Sequence, residues 1–276
     1  MMSLFRALPG VLALGLLAVP AQAKRIAAPP PIALRAAQAD AVFVARISEI
    51  DAKPKAGLVD AADGREMHLA KAVVSGDLLG HVGKNIEVAF QPGGSRFGGA
   101  PLAKGDEVLF FARKHPDRKN TYVADMFEAY VSSRDNASFK AQVTEAKEAA
   151  ALLANPMKAL KSKDAAERGL AAFLLVTRYK TPVAGSMKTE AVPAEESKLI
   201  LEALADGDWK GGGRGGYQMN PQNAFHMLGA TAGDGWTPPR DFTKFQDEAK
   251  KWLKESAGKF KMTRYARPEM GKPVEP

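Results

Sequence analysis

Ala39-Asp40-Ala41-Val42-Phe43-Val44-Ala45-Arg46-Ile47 and, further on, Gly105-Asp106-Glu107-Val108-Leu109-Phe110-Phe111-Ala112-Arg113 are two short apolar runs. Both are rich in the β-branched and aromatic side chains that suit a pleated surface. Each is entered from a turn-type residue and left near a basic one. In the first, Val42, Val44 and Arg46 alternate with Phe43, Ala45 and Ile47. Both faces are apolar at the start and one turns polar later, the pattern of a strand that leaves a covered region for an open one. If the two runs pair in one small sheet or barrel, the first half of the chain is a β module.

Working outward, residues 51–64 hold Pro54, Gly57 and Asp63-Gly64 and read as a loop. A second strand is expected over 65–74, with Met67, Leu69 and Val73 inward, broken by Ser75-Gly76-Asp77. Residues 78–83 read as a connector. In 85–90, Ile86, Val88 and Phe90 alternate as a third strand. A Gly- and Pro-rich loop at 92–101 leads to the fourth strand, 107–113, and a turn at 116–120 leads to a fifth over 121–131. Five strands at this spacing predict a small barrel or sandwich.

Taken in order, residues 39–47, a middle strand closed by a Gly-containing turn, Ile86-Glu87-Val88-Ala89-Phe90 and residues 105–112 resemble the netrin/TIMP-like module across about residues 38–131. The resemblance implies a five-stranded OB-like barrel. The tissue-inhibitor branch of that family chelates a protease zinc through an N-terminal cysteine, and this chain has no cysteine. Inhibition by that route is therefore not expected. The whole chain is similar to exported bacterial proteins that join such a barrel to a helical tail.

Near Ser132-Ser133-Arg134-Asp135-Asn136 the period becomes helical. Phe139, Val143, Ala146, Ala150 and Leu153 share one face of a helix over 137–153, and Pro156 marks a restart. Asp164-Ala165-Ala166-Glu167 has the form of a capping box opening a helix to about Tyr179. Pro193 starts another, ending at Asp206-Gly207. Asn220-Pro221 and Gly229 bracket a short one, and Asp241 starts the last. No period repeats over three units, so a compact bundle is expected rather than a solenoid. The fold class is thus α+β, an N-terminal five-stranded OB-like barrel followed by a C-terminal α-helical domain. The expected division is a signal at 1–23, a Pro/Ala-rich lead at 24–37 (extended at Pro29-Pro30-Pro31, with Ile32 and Leu34 able to pack on the domain), the β domain at 38–133, the helical domain at 134–261 and an extended tail at 262–276.

At 276 residues the chain is long enough for these two units to bury their own cores. Arg6, the apolar run 11–19 and Ala21-Gln22-Ala23 form an export signal, cleaved after Ala23 to leave a secreted or periplasmic protein. Its apolar run is shorter than the roughly 20 residues of a membrane span. Lys and Arg number 39 against 31 Asp and Glu, a net charge of +8 that favours anionic partners. The absence of cysteine excludes disulfides, thiolate metal sites and a cysteine nucleophile.

No catalytic motif stands in the sequence, and no catalytic residue, cofactor or metal site is assigned. His68, His81, His115 and His226 lack metal-ligand spacing, and His226 reads as a core residue. The Gly-rich stretches around Arg96 and Arg214 lack the spacing of a Walker A loop or a dinucleotide fingerprint, although backbone N–H groups there could meet an anion. Trp209 and Trp236, near Arg214 and Arg240, offer a sugar- or peptide-binding surface or the packing of a core. On the barrel, Arg46, Arg65, Lys71, Arg113 and Lys114 are candidate basic contacts. The expected function is that of an exported non-enzymatic binding or structural protein with a protein or acidic polymer of the cell envelope as partner. The alternatives are polyanion binding by the basic barrel face, a protease inhibitor acting through loop 92–101, or a hydrolase.

Overall fold

Strand β1 (Ala41–Ile50) alternates between two cores. Ala41, Phe43, Ala45 and Ile47 point into one, and Val42 and Val44 into the other. This is the two-residue side-chain period of a strand covered on both faces. From Arg46 onward the outer face is open, and Arg46, Ser48 and Glu49 are exposed. The computed structural model describes residues 30–59, 64–91, 101–124, 129–134, 136–183, 187–210 and 219–267. The expected export signal and cleavage site, the loop 92–101 expected for an inhibitor and the glycine stretch 211–216 lie outside or mostly outside these residues.

The barrel is built from β1 together with β2 (His68–Leu79), β3 (Asn85–Phe90), β4 (Glu107–Lys114) and β5 (Thr121–Ala124). The strand order is β1-β2-β3-β5-β4, and a second β1–β4 pairing closes the circle. The pair β3–β5 is parallel and the others are antiparallel. The two runs that open the sequence reading meet in register, with Phe43 opposite Phe110 and Ala45 opposite Val108. The predicted α+β class with an OB-like barrel is therefore the observed one. A short β6 (Tyr130–Ser132) adds to β4. Phe43, Ile47, Val88, Phe90, Phe110 and Tyr122 fill the barrel, and Phe43 lies 5.3 Å from both the Phe110 and Tyr122 rings.

Strand β2 is longer than expected. It continues through Ser75-Gly76-Asp77 to Leu79 because β1 pairs with it along that whole length, with three register shifts taking up the bend. Of the predicted fifth strand, β5 covers the start and β6 the far end, and residues 125–128 between them lie outside the described residues. The β1–β2 loop folds over the outer barrel wall, where Leu58 and Met67 cover Leu69 and Ala89.

The helical layer comprises α2 (Phe139–Ala154), α3 (Pro156–Leu160), α4 (Ala165–Lys180), α5 (Ala194–Asp206), α6 (Pro221–Leu228) and α7 (Phe245–Ser256). Several expected caps are in place. Asp164 accepts from the Ala166 N–H at 2.8 Å, Asn220 accepts from the Asn223 N–H at 2.8 Å, and Gly229 ends α6 at φ 71°. Glu167 accepts from the Ser162 hydroxyl at 2.6 Å, in place of the back-bond that a capping box would make. Asp241 caps a single 3₁₀ turn, Phe242–Lys244, ahead of α7.

Both ends of the described chain pack onto the helical layer. The lead holds a further helix, α1 (Ile32–Gln38), whose Ile32, Ala33, Ala36 and Ala37 are buried against α2 and α4. Alanine, leucine, arginine and glutamine favour a helix, but seven residues fold only where packing stabilises them. Residues 262–267 of the tail are extended, as expected, and are built in. Met262 is fully buried, and β8 (Thr263–Tyr265) pairs with β7 (Thr189–Ala191). The helical core extends from α1 to Met262 and includes Val42, Val44, Leu79, Leu109 and Phe111 of the barrel. Barrel and helices thus share β1 and β4 as a common wall. Among the described residues no helix is long and apolar enough to cross a membrane.

Candidate anion-binding groove

The cations chosen on the barrel do not form one patch. Arg46 is exposed opposite Glu107 at the start of β4, whereas Lys114 ends that strand, roughly 23 Å away at the strand rise per residue. Lys71 forms a salt bridge to Glu49 at 2.9 Å and faces Glu87 across the sheet. The Glu49 carboxylate raises the pKa of its ammonium. Arg65 sits exposed in the loop before β2, and Arg113 is half-buried opposite Val123. Arg96 and Arg214 lie outside the described residues.

The tryptophans correct the idea of an aromatic binding surface. Trp209 is 6% exposed and donates its indole N–H to the Leu204 carbonyl at 2.9 Å. Trp236 packs edge-on against Phe225 at 4.8 Å, with Phe245 and Trp252 around it. Both belong to the helical core. His226, read as a core residue, is instead exposed and stacks on Phe245 at 5.1 Å.

What the fold does assemble lies at the end of the barrel where β4 turns into β5. A groove of about 410 Å³ is lined by His81 from the β2–β3 turn and by residues 114–122. Three cations line it, Lys114, Arg118 and Lys119, and none forms a salt bridge among the described residues. Two imidazoles join them, His81 and His115. The His115 Nδ1 accepts from the Asp117 backbone N–H at 3.1 Å. That nitrogen therefore carries no proton in the neutral ring, and Nε2 is left as the donor. Tyr122 is buried against Phe43, and burial, with Asp77 nearby, pushes its phenol pKa up. It stays a neutral hydroxyl.

The backbone on both sides of the groove is strained. His81 at φ 51° and Asn120 at φ 57° are the positive-φ residues other than glycine among those described, and both line it. Each such position costs roughly 1–2 kcal/mol and persists only where surrounding contacts hold it. Asn tolerates this conformation well, His less so. A second groove of about 420 Å³ runs between α2 and the barrel, lined by Val44, Leu78, Phe139, Val143 and the flanking Lys140 and Lys147. It holds no comparable cluster of cations.

Of the candidates that lie among the described residues, only Lys114 lines the cationic groove. The signal for the others was present. Arg113-Lys114-His115-Pro116-Asp117-Arg118-Lys119 sets five basic side chains against one acid. It reads first as a turn because Pro, Asp and Asn carry the strongest local message. Neither a protein-family model nor a curated protein matches the chain.

Proposed function

We propose that this chain is a non-enzymatic binding protein that works outside the cytoplasm and holds an anionic polymer at the loop end of its barrel. The observation that carries this reading is the groove in which Lys114, Arg118 and Lys119, none in a salt bridge among the described residues, stand beside His81, His115 and the single acid Asp117. Cations and N–H donors on a turn held by strained backbone form a ready-made cradle for sulfate, phosphate or carboxylate groups. Export rests on Arg6, the apolar run 11–19 and the small residues Ala21 and Ala23. An acidic polysaccharide of the cell envelope is the partner that fits both.

Titration with a sulfated hexasaccharide tests the reading. Neutralising three charges releases about 0.7–0.9 counterion each on the scale that holds for nucleic acids. The logarithm of the binding constant should therefore fall against that of salt with a slope of about 2–3. A triple Lys114→Ser, Arg118→Ser, Lys119→Ser variant should lose most of the binding. Binding that ignores salt, or that survives the triple change, overturns the proposal.

A further inference from the structure

Both walls of the groove rest on Asp40. On one side, Gly80 leads into the turn that carries His81, at φ 104°, and a Cβ there would lie 2.7 Å from the Asp40 carbonyl oxygen. On the other, Lys114 donates its backbone N–H to Asp40 Oδ2 at 3.2 Å. The Asp40 N–H in turn donates to the Ala112 carbonyl at 3.0 Å. Asp40 is thus the footing of the β2–β3 turn and of the β4–β5 turn together.

The other carboxylate oxygen of Asp40 is taken by a residue from the far end of the chain. Arg267 donates from Nη1 to Asp40 Oδ1 and from Nη2 to the Arg178 carbonyl at 3.1 Å. Arg178, near the end of α4, donates to the Ala39 carbonyl at 2.7 Å. Arg267 follows β8, which is tied to β7, and the Ala266 N–H donates to the Lys188 carbonyl at 2.8 Å. The Asp40 and Arg267 side chains are 10% and 17% exposed, so water competes little for the pair.

We infer that the C-terminal strap 262–267 sets the binding geometry of the groove, with Arg267 and Asp40 as positioning residues; this rests on the groove being the binding site. A carboxylate pinned at Oδ1 holds Oδ2 toward the Lys114 N–H. Without Arg267, Arg178, whose charge Asp40 also stabilises, remains to draw the carboxylate, which rotates toward it and releases the Lys114 N–H. The β4–β5 turn then loses its footing, and the three cations no longer converge. Because coupling between two sites is reciprocal, an anion in the groove also tightens the strap.

The experiment uses the full chain and the same sulfated hexasaccharide. Arg267→Ala should weaken binding about tenfold at a temperature where the variant is folded, and Arg267→Lys, which keeps a cation beside Asp40, should restore part of the loss. In a Lys114→Ala background the Arg267→Ala loss should shrink without vanishing, because the backbone N–H at 114 still meets Asp40 while one of the three cations that this anchor positions is already gone. Where Arg267→Ala fails to fold, hydrogen exchange on the unaltered protein decides. The hexasaccharide should slow exchange at 263–266 as well as at 114–122. Unaltered affinity in folded Arg267→Ala, independent multiplication of the two losses, or protection confined to 114–122 overturns the inference. Loss of binding in none of the groove variants would instead bring down the proposed function itself.

Discussion

Phe110 and Phe111 are neighbours in β4, yet they belong to different cores. Phe110 fills the barrel beside Phe43, 5.3 Å away, while Phe111 faces the helical layer beneath the guanidinium of Arg35 at 5.1 Å. Val42 and Phe43 divide in the same way on β1. A wall shared by two cores ties the folding of one to that of the other.

One cooperative transition is the expected result. The chain has three tryptophans, and Trp209, Trp236 and Trp252 all report on the helical layer. Phe110→Ala, a change inside the barrel, should cost about 3–5 kcal/mol. Tryptophan fluorescence and far-ultraviolet circular dichroism should shift together in urea. A tryptophan transition that stays at its original midpoint would show that the halves unfold separately.

Asp40→Asn removes the anion between Arg178 and Arg267. Burial, and then Arg267, already lower the pKa of Arg178 to about 10, so its charge is held at some cost with the carboxylate present. Breaking a buried pair on one side typically destabilises by about 3–5 kcal/mol, and urea midpoints should fall accordingly. A change below about 0.5 kcal/mol would mean that the pair contributes little.

Gly80→Ala combines a positive φ with backbone contact at Asp40, and neither relaxes easily. The expected loss is roughly 1–3 kcal/mol. Gly83→Ala is the control, since its Cβ would meet only the Asn120 side chain at 3.8 Å. That change should stay within about 0.5 kcal/mol. Thermal melts of the two variants check the contrast.

Trp236→Ala should destabilise by about 3–5 kcal/mol while leaving hexasaccharide affinity unchanged under conditions where the protein is folded. A selective loss of binding would return the aromatic cluster to the list of ligand surfaces.

Much of the fold is legible in local pattern. The alternation in 85–90, the β-rich run 107–113, the Asp164 and Asn220 caps and the Gly229 stop all act within a few residues, and each element is in place, although Glu167 does not complete the expected capping box. Helix α1 was hidden because Pro29-Pro30-Pro31 suggests an extended chain, and seven helical residues are stable only against α2 and α4. The candidate site was less legible than the fold. Of the basic residues chosen on the strands, Lys71 meets Glu49 and Arg46 sits opposite Glu107, pairings that depend on register.

The sequence by itself determined the α+β division, the strands of the barrel and the basic turn at 114–119, because side-chain period and turn chemistry act locally. Tertiary structure decided which cations form salt bridges among the described residues, which face of β1 the helices cover, and that Arg267 meets Asp40 across 227 positions. Those outcomes depend on which distant surfaces become neighbours, and no local propensity encodes them.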